Sequence, residues 1–130
     1  MTPTDQQVTE PGKGDSLAAC VASILDLSTA KVGNLDQGNN LEQLEGVLAL
    51  YGYGFCYIVG ELGVFRIPEW AERLCIVIGP SPRDAQRLHA VVAEVKDAGL
   101  LIVHDPHPMR SGVGKPWKGV IILYRAEKWT

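Results

Sequence analysis

The chain has 130 residues, 46% of them hydrophobic and 21% charged, which suits one compact domain over residues 1–130 with a buried core. A net charge of −3 without any basic run supplies no general attraction for nucleic acid or for an anionic membrane, so neither is expected as a partner. No apolar stretch approaches bilayer-spanning length, and the opening MTPTDQQVTEPGKGD has neither the basic start nor the apolar core of a signal peptide, so the expected location is cytoplasmic.

The first fifteen residues are polar and contain Pro and Gly, which predicts an extended arm. A helix then starts abruptly, with Asp15 placed to act as N-cap and Leu17, Cys20, Val21, Ile24 and Leu25 repeating at helical spacing. Ser28 is placed to cap a short turn through Lys31. After a loop from Gly33 to Asn40, a second helix carries Leu41, Leu44, Leu48 and Tyr51 on one face and stops at Gly52. From Tyr53 the pattern changes to short β-rich runs separated by Gly and Pro, at Tyr53–Val59, Leu74–Ile78, Leu88–Val95, Leu100–His104 and Val120–Tyr124. Helices followed by strands predict an α+β domain with a mainly antiparallel sheet. Cys20, Cys56 and Cys75 form no metal-type spacing, are odd in number and sit in apolar contexts, so all three are read as structural, buried thiols.

The chemistry is concentrated at Ser16, His89 and Asp105. Ser16 opens the first helix, where free N–H groups and the helix dipole would favour a thiolate and activate a cysteine. A serine gains much less there, because its hydroxyl needs a base to take the proton. Taken alone, Ser16 is an ordinary helix-starting residue, His89 a strand histidine and Asp105-Pro106 a strand end. Their relation is more telling. If Asp97, Ala98 and Gly99 form a three-residue hairpin loop with Gly99 left-handed, Lys96 pairs with Leu100 and His89 falls opposite His107. Asp105 is then a diagonal neighbour of His89 on the same sheet face, whereas a two-residue loop would put the two on opposite faces in a regular ladder.

The combination of GDSLAACVASILDL, GPSPR, HAVV and VHDPHP resembles a family of small papain-like cysteine peptidase domains found largely in phage and bacterial proteins. It is similar, more distantly, to the bacteriocin-processing (double-glycine) peptidases of export transporters. The resemblance runs from Gln6 to about Ser111 and implies a papain-like fold with the N-terminal helix packed on the sheet. It also implies a cysteine nucleophile at the position of Ser16, His89 as general base, Asp105 as the residue orienting the imidazole, and Gln6 as oxyanion-hole donor beside the Ser16 backbone N–H. Gln7 is the alternative to Gln6, since the intervening arm is long. The implied substrate is a peptide, isopeptide or small amide, attacked through an acyl-enzyme without cofactor or metal, in the bacterial host cytoplasm if the protein is phage-encoded. Ser16 departs from the pattern, and a serine introduced in place of a native cysteine is favoured over natural loss, because Gln6, His89 and Asp105 are all intact. Oligomeric state is left open.

Two rival readings rest on other features. Gly14-Asp-Ser-Leu17 matches the opening motif of GDSL serine esterases, but polar residues precede it and Asp105-Pro-His107 lacks the Asp-x-x-His spacing of that family. A non-catalytic module binding a peptide or small amide would use the same scaffold, with Trp70, Trp117 and Trp129 lining a groove. His104 and His107 flank an Asp-Pro, yet no convincing third and fourth ligand accompanies them for zinc. Arg83, in the loop Gly79-Pro-Ser-Pro-Arg83, is a candidate for an anionic substrate group or simply a solvated loop cation.

Overall fold

Helix α1 (Ser16–Leu25) is buried along its first eight residues, Ser16 through Ser23, more completely than a single apolar face requires. Ala18, Ala19 and Ala22 explain how: with so little side chain, the helix lies close against what it covers. Its end is a Schellman motif. Asp26 takes a left-handed φ of 58°, its N–H reaches Ser23 O at 3.4 Å, and Leu27 N–H reaches Ala22 O at 2.9 Å. The structure, a computed structural model, describes residues 1–6, 16–32, 35, 40–59, 72–96 and 99–129; the expected N-cap Asp15 lies outside them.

A short helix α2 (Thr29–Val32) follows directly after Ser28, and α3 (Asn40–Leu50) precedes the strands. Leu44 and Leu48 of α3 are fully buried, each stabilising the fold by about 2 kcal/mol at ordinary transfer values. The expected face is narrower than its spacing suggested, for Leu41 and Tyr51 are exposed. Both lie at the ends of the helix, beyond the turn that meets the sheet. Gly52 stops the helix as expected, with a φ of 81° and its N–H on Ala49 O.

The strands are β1 (Tyr53–Val59), β2 (Leu74–Ser81), β3 (Asp84–Lys96), β4 (Gly99–His104) and β5 (Gly119–Arg125), followed by a 3-10 turn at Ala126–Trp129. They form one antiparallel sheet in the order β1-β5-β2-β3-β4. One face, through Ile76, Ala90, Val92, Ile121 and Leu123, packs against α1 and α3 residues. The other face is apolar as well: Cys75, Val77, Val91, Ala93, Val120 and Ile122 form a second core beneath Val113 and Trp117. Burial on both faces explains why β2, β3 and β5 read as continuous apolar runs instead of alternating ones. The α+β class and the antiparallel sheet therefore stand as expected. Among the described residues, no helix is long and apolar enough to cross a membrane.

The β3–β4 connection differs from expectation. Lys96 pairs with Gly99, not with Leu100, so the loop is the two-residue one. Ala93 pairs with Ile102 but Val92 pairs with His104, which leaves Val103 as an extra residue on β4. This β-bulge restores the parity that the longer loop was expected to supply. Gly99 does have positive φ, 128°, but the register of the site is set at Val103. Cys56 is a second correction. Cys20 and Cys75 are fully buried, and burial pushes the Cys75 thiol up to about 12, whereas Cys56 is exposed on β1, an edge strand of the sheet.

Candidate active site

Strand β4 leaves β3 after the Val92–His104 pair, and the edge of β3 beyond that point is open to other partners. Ser16 takes it. The Ala90 N–H donates to Ser16 Oγ at 3.2 Å, so the first residue of α1 stands where a regular continuation of the ladder would have placed Pro106. Alternation puts His89 on the same face as Val91, the loop-covered face, and one peptide away from this contact.

Downstream of the bulge, Asp105 turns to the same face. Its Oδ1 lies 2.7 Å from His89 Nε2, both side chains being buried. Two main-chain donors hold the same carboxylate: His107 N–H on Oδ1 at 2.9 Å and Gly112 N–H on Oδ2 at 2.6 Å. Burial acts to raise the Asp105 pKa, but the hydrogen bonds from His89, His107 and Gly112, with the nearby imidazole charge, outweigh it and hold the carboxyl below its ordinary value. An ionised carboxylate only accepts, so His89 carries a proton on Nε2 and, when neutral, offers Nδ1 as a lone pair.

His107 lies beside this pair. Its ring stands edge-on to His89 with centroids 6.3 Å apart, and its Nδ1 accepts the Met109 N–H at 3.1 Å. Burial, then the positive charges of Arg83 and His89, lower its pKa, which favours the neutral ring. Arg83 is exposed at the turn between β2 and β3, with its N–H on Ser81 Oγ at 3.2 Å. Gly79 pairs with His89 across β2 and β3, and a Cβ there would meet Gly114 O at 2.8 Å. Only glycine lets the chain near Gly114 close down beside His89.

The N-terminal arm is part of the same neighbourhood. Ser23 Oγ accepts the Thr4 N–H at 2.9 Å, His104 Nε2 donates to Thr4 O at 2.8 Å, and buried Gln6 donates its N–H to Pro106 O at 3.0 Å. Gln6 is thereby attached to the residue following Asp105; Gln7 lies outside the described residues. An open cleft of about 580 Å³ lies where the arm meets this region, with Pro3, Asp5, Ile102, His104, Asp105 and Arg110 among its walls.

His89 and Asp105 are thus bonded to each other, whereas the Ser16 hydroxyl is bonded to the Ala90 amide next to His89, not to the His89 ring, and the Gln6 N–H to the Pro106 carbonyl next to Asp105. The remaining candidates are scattered. Trp117 packs into the second core, while Trp70 and the Trp129 side chain lie outside the described residues. His104 and His107 each engage main-chain groups, and no cluster of three or more His, Cys, Asp or Glu suited to a metal occurs among the described residues. Arg110, missed in the sequence, contacts both Asp5 and Asp105; its partner Asp5 lies 105 positions away, and no local pattern signals such a pair. No known protein family, curated protein or solved structure matches the chain.

Proposed function

We propose that the chain is a papain-like cysteine-peptidase-type amide hydrolase or acyl transferase whose nucleophile position is held by Ser16. The observation that carries this reading is the buried His89–Asp105 pair, with its ring polarised through Nε2, beside a helix whose first residue caps the next peptide of the same strand. With a thiol at position 16, Nδ1 of His89 takes the thiol proton and the sulfur attacks a peptide, isopeptide or small-amide carbonyl. The imidazolium then protonates the leaving amine. Water, or an acceptor amine, attacks the thioester with His89 again taking the proton, and the thiolate is released. Gln6 and the residue-16 N–H are assigned to the oxyanion. With serine the same steps start from a hydroxyl of far higher pKa, so the form with Ser16 is expected to be inactive or nearly so.

Alkylation of the Ser16→Cys variant by iodoacetamide across pH tests this directly. The expected profile has its midpoint well below the value of about 8.5 for a free thiol, and His89→Ala in that background should return it to the free-thiol value. An ordinary profile for Ser16→Cys overturns the proposal. Labelling of the Ser16 form by a fluorophosphonate would instead favour a serine esterase. Mass spectrometry of Ser16→Cys after exposure to lysate, searching for an acyl adduct at residue 16, would then define the substrate.

A further inference from the structure

Arg110 touches two segments that the site needs in register. Its guanidinium pairs with both carboxylate oxygens of Asp5, at 2.5 and 2.9 Å, and Nη1 also donates to the main-chain carbonyl of Asp105. One planar cation therefore joins the arm that carries Gln6 to the residue that holds His89, a task suited to the rigid fork of arginine. The backbone is bent to allow it. Arg110 sits at a left-handed φ of 52°, unfavourable for a residue with a side chain, and its N–H closes a turn onto His107 O at 2.9 Å.

Stability is a poor explanation for this arrangement. The Arg110 and Asp5 side chains are 50% and 40% exposed, and ion pairs so open to water contribute little to folding. What the bridge does is fix direction. Arg110 holds the Asp105 carbonyl and so fixes the main chain from which the side chain projects, and with that main chain fixed the carboxylate leaves His89 only by breaking the His107 and Gly112 bonds as well.

We infer that Arg110 is a positioning residue, which by bridging the Asp5 carboxylate and the Asp105 carbonyl keeps the Asp105 carboxylate on His89 and the Gln6 arm docked beside it. Its catalytic meaning rests on the function proposed above. The geometry is readable without any reaction.

The test is NMR of the histidine ring N–H groups in the full chain with Ser16 in place. The His89 Nε2–H resonance should be shifted downfield by the carboxylate and slow to exchange. In Arg110→Ala that proton should exchange about tenfold faster or more, while core amides keep their protection. Arg110→Lys, able to reach either partner but not to bridge both as a fork, should recover part of the protection. Asp5→Asn should be intermediate, and it provides the same readout if Arg110→Ala does not fold. Unchanged His89 exchange overturns the inference, whatever happens to the melting temperature. So does faster exchange shared equally by core amides, which would mean general loosening. An ordinary thiol profile for Ser16→Cys would defeat the proposed function and leave this measurement standing.

Discussion

The two ends of the β3–β4 hairpin invert the usual distribution of polar and apolar residues. Near the turn, Leu101 and Ile102 are 54% and 37% exposed on an edge strand, while at the far end His89 and Asp105 are only 4% and 6% exposed. The turn end closes at the Lys96–Gly99 pair and leaves Leu101 and Ile102 exposed, whereas the far end is enclosed by α1, the arm and the chain from Asp105 to Gly114. Apolar side chains tolerate exposure at modest cost, but buried polar groups must find partners. Structural precision in this hairpin is therefore expected where the polar groups are.

Inserting one alanine between Val103 and His104 should break that contrast most severely. With Val103 still the single extra residue, the insertion takes the Val92 pairing and a regular ladder carries Asp105 opposite Ala90, on the helix-covered face, away from His89. The expected result is loss of the downfield His89 ring proton and destabilisation by about 3 kcal/mol or more, read by urea unfolding with NMR. Asp105→Ala comes next. It leaves the His89 ring, the His107 N–H and the Gly112 N–H without their acceptor, and should cost about 2–4 kcal/mol by the same unfolding measurement. A loss below about 0.5 kcal/mol would mean that water replaces the carboxylate freely and that the far end is not sealed.

Acidification probes the same end more gently, in two stages. The folded pKa of His107 is depressed, so its contribution is complete above about pH 6.5 and is lost as pH falls through its folded value. Asp105 is also depressed, from a carboxylate reference near 4. Its contribution is complete above that pH and disappears only in stronger acid. Thermal melts against pH should show the first stage abolished by His107→Gln and the second by Asp105→Asn. The smallest effect belongs to the turn end, where Leu101→Thr should change stability by less than about 0.5 kcal/mol and reduce self-association at high concentration, measured by light scattering.

The element order was legible because each run carried its own period: Leu44 and Leu48 at helical spacing, and β-branched residues through Val91, Val92, Val120 and Ile121. Neighbourhood of His89 and Asp105 was also legible, from hairpin counting. How the chain achieves it was not. A bulge at a valine has no compositional mark, so the parity was assigned to Gly99, the one residue that advertises an unusual backbone. Exposure of Cys56 was hidden for a related reason, since its apolar neighbours are genuine strand residues and only the sheet order makes β1 an edge. Contacts such as Asp5–Arg110 and Thr4–His104 join the extremes of the sequence and leave no local trace.

The sheet order has a consequence for synthesis. Strand β5, the last to be made, lies between β1 and β2, so until residues 119–125 have left the ribosome β1 has no neighbour in the sheet and the β2–β3–β4 unit presents an unpaired inner strand. Long-range pairing of this kind is slow to form and exposes apolar edges while it waits. The sheet therefore stays in two pieces from the completion of β4 until β5 is made, and the decisive folding event is the insertion of that late strand between them.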